Sequence, residues 1–195
     1  MDTIVARQAR TLTLTTRQKE ILIGSLLGDG HLARTTRGFA FRANHSTSQK
    51  EYVFWKYREF ADVCMSPPHL YGSKSYVFRT VTHPQFDFLH REFYDNNRKI
   101  LPEWINRWMT PLALAVWFMD DGARDKQQAR FNTQSFSLDE NQRLIHILEA
   151  TLGIVATINR DKDCYRLRAR ERSMPQLRRL LLPHLLPSMQ YKLSL

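Results

Sequence analysis

The stretch Leu114-Ala115-Val116-Trp117-Phe118-Met119-Asp120-Asp121-Gly122 opens apolar and ends on two acids and a glycine. Just ahead of it stands Thr110-Pro111, a strong helix start with proline at the first helical position. A second stretch, Leu22-Ile23-Gly24-Ser25-Leu26-Leu27-Gly28-Asp29-Gly30, follows Thr15-Thr16-Arg17-Gln18, which resembles a capping box. Each predicts an apolar helix that stops at an Asp followed by Gly. The Gly reads as a left-handed cap. The Asp has no such excuse, because the helix dipole is negative at that end and an acid there costs a little unless a cation sits nearby. A single Asp-Gly after a helix is a common turn. Two copies, 92 residues apart, call for a shared cause.

Apolar helices need a partner. Gly24 and Gly28 are four residues apart, so one face of the first helix is nearly bare backbone and another helix can come close. Packed side by side, the two helices would bring Asp29 and Asp121 together at one end. Like charges that close repel unless divalent metal ions bridge them. This is the layout for two-metal phosphodiester hydrolysis, in which metals activate water and steady the leaving oxygen.

Outward from the two stretches the chain repeats. In the first half, strand alternation runs from Phe39 to Ser46. A helix opened by Ser48 follows and is broken by Pro67-Pro68, then strands around Leu70-Tyr71 and from Tyr76 to Val81. A helix near Pro84 and the segment Arg98-Lys99-Ile100-Leu101-Pro102 close the half. In the second half, a strand runs from Arg130 to Phe136, and Ser137 opens a helix that stops at Gly153. Strands follow at Ile154 to Asn159 and Cys164 to Arg170, then a helix from Met174 to Leu182 and the closing Tyr191-Lys192-Leu193. Asp29 precedes Ser48 by 19 residues and Asp121 precedes Ser137 by 16. The offsets to Tyr76 and Tyr165 are 47 and 44, and those to Lys99 and Lys192 are 70 and 71. Two chance α/β segments would not hold several landmarks in register within three residues. The expected division is an arm over residues 1–14, one repeat over 15–105 and another over 106–195.

The composition agrees. Twenty-nine Lys and Arg against nineteen Asp and Glu give a net charge of +10, which favours a polyanionic partner, commonly nucleic acid. The two cysteines, Cys64 and Cys164, make neither a zinc finger nor a disulfide framework and read as free thiols in a reducing compartment. No run approaches the length of a membrane span, and the opening residues lack the apolar core of a secretory signal. The expected setting is intracellular, in an organelle or a bacterial cytoplasm.

Both motifs are similar to those of the LAGLIDADG homing endonucleases, and Leu114 to Gly122 after Thr110-Pro111 is especially close to the double-motif, intron-encoded members. The resemblance runs from about Thr15 to Leu193. It implies a mixed α/β fold of two αββαββα halves in pseudo-twofold relation, packed through the motif helices, with antiparallel sheets forming a saddle over DNA. It implies that the acids at the eighth motif position, Asp29 and Asp121, bind metal and catalyse. Gly28 and Asp120 hold the seventh positions, where a backbone carbonyl would help. It implies Mg²⁺ as cofactor, with Mn²⁺ or Ca²⁺ able to occupy the sites and Ca²⁺ not supporting cleavage. Lys99 and Lys192 stand where the family has a basic residue beside each metal centre, to stabilise phosphate charge or polarise water. The first motif departs from the family name at Ser25 and Gly28, and the acid is intact.

Alternation also sorts residues onto faces. Arg42, Asn44 and Ser46 share one face, opposite Phe39, Phe41 and Ala43. Arg130, Asn132 and Gln134 share another, and Arg166, Arg168 and Arg170 a third. A polar solvent-facing strand would look the same taken singly. Three faces rich in Arg, Asn and Gln on a basic chain favour base edges in the major groove. Tyr76 and Arg79 from the strand beginning at Tyr76 join the expected DNA contacts. Arg34, Arg37, Lys74, Arg124, Lys126, Arg160 and Lys162 suit phosphates. The expected activity is a staggered double-strand break in a long non-palindromic site, by a monomer that carries both acids. The rivals are an RNA maturase acting on its own intron and a non-cleaving DNA-binding protein on the same fold.

Overall fold

The computed structural model describes residues 3–193, and helix capping sets its two central elements. In α2 (Thr16–Leu27) the Thr15 hydroxyl accepts from the Gln18 N–H while the Gln18 side chain accepts from the Thr15 N–H, at 3.1 and 2.9 Å. In α5 (Pro111–Asp121) the Thr110 hydroxyl accepts from the Ala113 N–H at 3.2 Å. Ile21 to Leu27 and Leu112 to Asp120 are all buried, as befits helices apolar on every side.

The two helices pack directly on each other, and the glycines make this possible. A Cβ on Gly24 would lie 2.4 Å from the Ala113 carbonyl oxygen, and one on Gly28 would lie 2.5 Å from the Asp120 Cβ. The expected left-handed caps are not found. Gly30 and Gly122 have no positive φ, and Gly122 is extended at φ −81° and ψ 151°. Their role is space: a Cβ at Gly122 would strike the Phe118 ring and one at Gly30 the Ser25 side chain. The chain leaves α5 straight into a strand at Gly122, and leaves α2 through a short turn, Gly28 to Gly30, before the strand at His31.

Each motif helix starts a half of the same order. The first half continues through β1 (His31–Thr35), β2 (Gly38–Ser46), α3 (Lys50–Glu59), β3 (His69–Tyr71), β4 (Ser75–Arg79) and α4 (Pro84–Phe93). A small ribbon, β5 (Tyr94–Asp95) with β6 (Arg98–Lys99), closes it. The second half continues through β7 (Gly122–Asp125), β8 (Gln128–Phe131), α6 (Leu138–Leu152), β9 (Ala156–Asp161), β10 (Cys164–Ala169) and α7 (Met174–Leu181). The sheets have matching antiparallel orders, β1-β2-β4-β3 and β7-β8-β10-β9. One core joins the inward sheet faces, the outer helices and both motif helices.

Three expectations need correction. Residues 1–14 were expected as an arm, yet they hold α1 (Ile4–Ala9), capped by Thr3, with Ala6, Ala9 and Leu14 buried in the core. Small and apolar residues at 6, 9 and 14 dock the segment beside the turn Ala61–Val63. The strand expected from Arg130 to Phe136 ends at Phe131. Beyond it the Asn141 amide donates to the carbonyls of Phe136 and Ser137, and its oxygen accepts from the Thr133 hydroxyl at 2.6 Å. These bonds draw the chain off the sheet and into the start of α6. The expected boundary between repeats at 105/106 falls inside a short 3-10 turn, Ile105–Trp108. Residues 1 and 2 of the expected arm and 194 and 195 of the second repeat lie outside the described residues.

The helix contact yields a stability prediction. Gly24→Ala forces a methyl against backbone that no rotamer change can relieve, so it should lower unfolding stability by at least the roughly 1–3 kcal/mol typical of core overpacking. Gly72→Ala, where no atom lies within 4 Å, meets no such contact and carries only the strain of its φ of 60°. Urea unfolding of both variants makes the comparison, and a Gly24→Ala midpoint equal to wild type would contradict the close packing.

Candidate active site and DNA interface

Both acids stand where their helices abut. Asp121 closes α5 and Asp29 follows the Gly28 that ends α2. Asp121 is half-buried, whereas the Asp29 side chain retains 52% of its exposure. Burial raises the Asp121 pKa first, then the charges of Asp29 and Asp120, and the group is pushed up to about 7. Burial followed by Asp120 raises Asp29.

Lys99, at the close of the first half, and Lys192, at the close of the second, reach the same place. The Lys99 ammonium donates to the Gly28 carbonyl at 2.7 Å. The Lys192 ammonium donates to the carbonyls of Met119 and Asp120, at 2.5 and 2.9 Å. Each lysine thus caps the negative end of its own half's motif helix, a favourable use of a cation. Burial pulls both lysines below their ordinary pKa, and the neighbouring acids push back. The seventh-position carbonyls, expected to help hold metal, are both engaged by these ammonium groups.

Sequence reasoning missed Lys56 and His45. Lys56 is fully buried and donates to both carboxylate oxygens of Asp120, at 2.8 and 3.0 Å. The pair crosses from α3 of the first half to the motif helix of the second. Burial lowers the Lys56 pKa, opposed by Asp120. The His45 Nε2 lies 3.5 Å from Asp120 Oδ1 and its Nδ1 lies 3.9 Å from Asp29 Oδ2. Burial, then Lys56, drives its pKa down to about 4, so the ring is neutral near pH 7. Nothing local in the sequence marks either residue. Lys56 sits in an ordinary amphipathic helix, and its partner is 64 residues away.

Hard oxygen donors suit a hard divalent cation. Asp29 and Asp121 supply charge, while the Asp120 carboxylate is occupied by Lys56. Among the described residues no group of three or more His, Cys, Asp or Glu is placed to hold a metal ion unaided. Two acids therefore fit a cation such as Mg²⁺, which keeps water and takes phosphate oxygens as further ligands.

The outward sheet faces carry the expected polar residues. On the first sheet, Arg42 pairs across strands with Arg79, and on the second Arg130 pairs with Arg168. Arg42 lies over the Tyr71 ring at 5.2 Å. Side-chain atoms cut off from water without a protein partner gather here: Oδ1 of Asn44, Asn132 and Asn159, and Nε of Arg130, Arg166 and Arg168. Asn159 was missed because the strand from Ile154 to Asn159 was not sorted onto faces. Beyond the end of β8, Asn132 and Gln134 stay beside the sheet: the Asn132 N–H donates to the Asp121 carbonyl and the Gln134 amide approaches Asp161 at 3.3 Å. Ser46 is exposed at the end of β2 and bonds Ser48.

The expected phosphate contacts are at hairpin turns and rims. Arg34, Arg37, Lys74, Arg124, Lys126, Arg160 and Lys162 are all exposed, as is Arg170 just past the end of the third expected reading face. Lys126 and Lys162 take positive φ, and Arg124 and Arg160 each donate to the carbonyl of that lysine. Tyr76 corrects the expectation. It pairs with His45 across the ladder and turns to the helix layer, edge-on to Phe54 at 5.8 Å. It lies three residues from Arg79, so alternation puts the two on opposite faces.

The titration of Asp121 gives a signed prediction. Its folded pKa of about 7 stands above an unfolded value near 3.9, so between these the folded state holds more protons. Metal-free stability should therefore fall as pH rises from about 4 to about 7. Asp121→Asn removes that penalty. Its melting temperature should exceed that of wild type at pH 8 and match it at pH 4. Equal melting temperatures at pH 8 would show that neither burial nor like charge penalises the Asp121 carboxylate.

Comparison with known proteins agrees with this geometry. Residues 19–177 match the family model described as the LAGLIDADG DNA endonuclease family. The chain is 30% identical over 211 residues to DNA endonuclease I-ChuI of Chlamydomonas applanata, covering 94% of this chain and 97% of that one. It is 30% identical over 190 residues to the cytochrome b mRNA maturase bI2 of Debaryomyces hansenii, covering 90% of this chain and 72% of the relative. The solved structure of the homing endonuclease I-WcaI bound to its DNA recognition sequence superposes with a TM-score of 0.90 at 27% identity, over 99% of this chain and 93% of that one. With acids closing two abutting helices, a cationic residue on each helix end and matching sheets on either side, the chain belongs to the LAGLIDADG homing endonuclease family.

Proposed function

We propose that this endonuclease cuts both strands of a long, non-palindromic DNA site as a monomer, with Asp29 and Asp121 holding divalent cations, Mg²⁺ foremost. The observation that carries this reading is the meeting of Asp29, Asp121, Lys99 and Lys192 at one end of the α2–α5 pair. Bound there, the cations would lower the pKa of an attacking water and neutralise charge on the phosphate and leaving oxygen. Asp29, the more open acid, faces the incoming phosphate, while Asp121 is set deeper. Lys99 and Lys192 are anchored on carbonyls next to the acids, where an ammonium can meet charge that develops in the transition state. The sheet faces hold Arg and Asn atoms lacking partners, which suit base edges, and the hairpin rims suit phosphates. No helix of the described residues is long and apolar enough to cross a membrane. The working place is inside the cell, where Cys64 and Cys164 stay free thiols.

A second reading is favoured by the relative named as a cytochrome b mRNA maturase. In it the chain assists splicing of its own intron RNA, alone or beside cleavage. Retention of both acids favours cleavage over a DNA-binding protein without chemistry.

Asp29→Asn or Asp121→Asn should abolish normal double-strand cleavage and keep DNA binding, since each removes a metal-binding charge. Lys99→Ala and Lys192→Ala should lower the single-turnover rate more than affinity. Cleavage of plasmid libraries carrying candidate sites, with gel-shift in Ca²⁺ for binding, measures both. Normal cutting by either Asn variant would remove the acids from the reaction. Lysine defects that vanish at saturating enzyme would make Lys99 and Lys192 phosphate contacts only.

Base reading separates from backbone contact by pattern. Arg168→Ala should relax preference at one or two positions on one side of the site, at roughly 1–3 kcal/mol of discrimination. Lys126→Ala should weaken binding evenly and flatten its salt dependence. Profiling against single-base site variants decides, and a symmetric change on both sides for Arg168→Ala would mean that the chain acts as a homodimer or that the strand assignment is wrong.

A further inference from the structure

The two sheets are built alike and charged differently. The cross-strand pairs Arg42–Arg79 and Arg130–Arg168 fix the equivalence of the halves. Counting outward from them along the ladders, Ala33 is the counterpart of Asp125, opposite Ala40 and Gln128 respectively. Tyr71 is likewise the counterpart of Asp161, opposite Ser75 and Cys164. The second-half face therefore carries two carboxylates where the first has alanine and tyrosine.

Those carboxylates grip the reading arginines. Asp125 Oδ2 lies 2.8 Å from Arg168, and Asp161 Oδ2 lies 2.7 Å from Arg166. All four side chains are partly exposed, at 24–37%. The first-half face has Ala33 and Tyr71 at these two positions. Its broad concavity, about 820 Å³, is lined by Arg34, Arg42 and Arg79 among others. Among the described residues neither Arg42 nor Arg79 makes an ion pair, and Arg42 rests on Tyr71 instead.

A carboxylate on a DNA-facing sheet is repelled by phosphates and by acceptors on base edges. It gains only from a base amino donor, such as N4 of cytosine. Most sequences leave it unpaired, and that penalty discriminates between sites. An arginine already held in place also loses less freedom on binding. Arg42 and Arg79, which no such acid holds, gain from any phosphate, whatever the sequence. We infer that the halves divide recognition: the first-half face supplies a sequence-independent grip, and Asp125 and Asp161 are specificity-determining residues that make the second-half face the stricter reader. The inference rests on the DNA-binding reading above.

The test uses the full chain, a fixed duplex of random sequence and a pool of randomised duplexes, in Ca²⁺. Wild type is measured first, and failure to bind any duplex would overturn the underlying reading and this inference together. The Asp125→Asn/Asp161→Asn variant keeps shape and removes both charges. It should bind the random duplex several-fold more tightly, and its plot of log affinity against log salt should steepen by about one to two, near 0.9 for each phosphate newly met. Sites selected from the pool should lose base preference in one half only, the half that Arg168→Ala also relaxes. The reverse change, Tyr71→Asp, should weaken binding to the random duplex several-fold and leave that half-site as selective as before. Unchanged random-duplex affinity in the Asn variant, or equal loosening of both half-sites, would overturn the division while leaving DNA binding itself intact.

Discussion

Backbone contact between α2 and α5 at Gly24 and Gly28 is the constraint on which the rest depends. A Cβ at either position would lie within 2.5 Å of the facing helix, so the pair can close only because both are glycine. That closeness puts the C-terminal ends of two helices side by side. Two negative dipole ends and the carboxylates of Asp29, Asp120 and Asp121 then share one small region, which is unfavourable alone. The rest of the centre answers this concentration of negative charge.

Three lysines do so from three parts of the chain. Lys99 and Lys192 cap the carbonyls of their own motif helices, and Lys56 neutralises Asp120 from the neighbouring half. Three carboxylates thus meet three ammonium groups. The arrangement is not symmetric, because Gly28 stands where the second motif has Asp120, and the missing side chain leaves room for that acid. A buried pair of this kind is weak evidence for net stability, since desolvation opposes the attraction, but removing one partner strands a buried charge. Lys56 and Asp120 thereby tie the halves in a fixed register beside the two metal-binding candidates. Asp121, pushed up to about 7, keeps part of the strain that a divalent cation would relieve.

Much of this could be read from the sequence because it is written locally. The apolar runs, their caps at Thr15 and Thr110, the small residues Gly24 and Gly28 and the acids that end each run lie within a few turns. The family resemblance marked Lys99 and Lys192, and their matching offsets from the two acids supported it. What stayed hidden depends on contacts between distant segments. Lys56 looks like any lysine of an amphipathic helix until Asp120 is placed against it. The strand expected to reach Phe136 stops early because Asn141, on the next helix, captures the carbonyls that would extend the ladder. Tyr76 was expected to meet DNA, whereas ladder register turns it inward. Asp125 and Asp161 passed unnoticed because an acid on a basic face has meaning only beside the arginine it holds.

The central claim is that two acids from two helix ends, in one chain, form a single metal-binding centre for phosphodiester cleavage. Anomalous scattering from Mn²⁺ in crystals of the chain bound to a selected DNA site tests it most directly. The account predicts strong anomalous density between Asp29, Asp121 and the scissile phosphates, lost when both acids are changed to asparagine. Manganese bound elsewhere on the chain, or density that persists beside the phosphates in the doubly substituted protein, would contradict it.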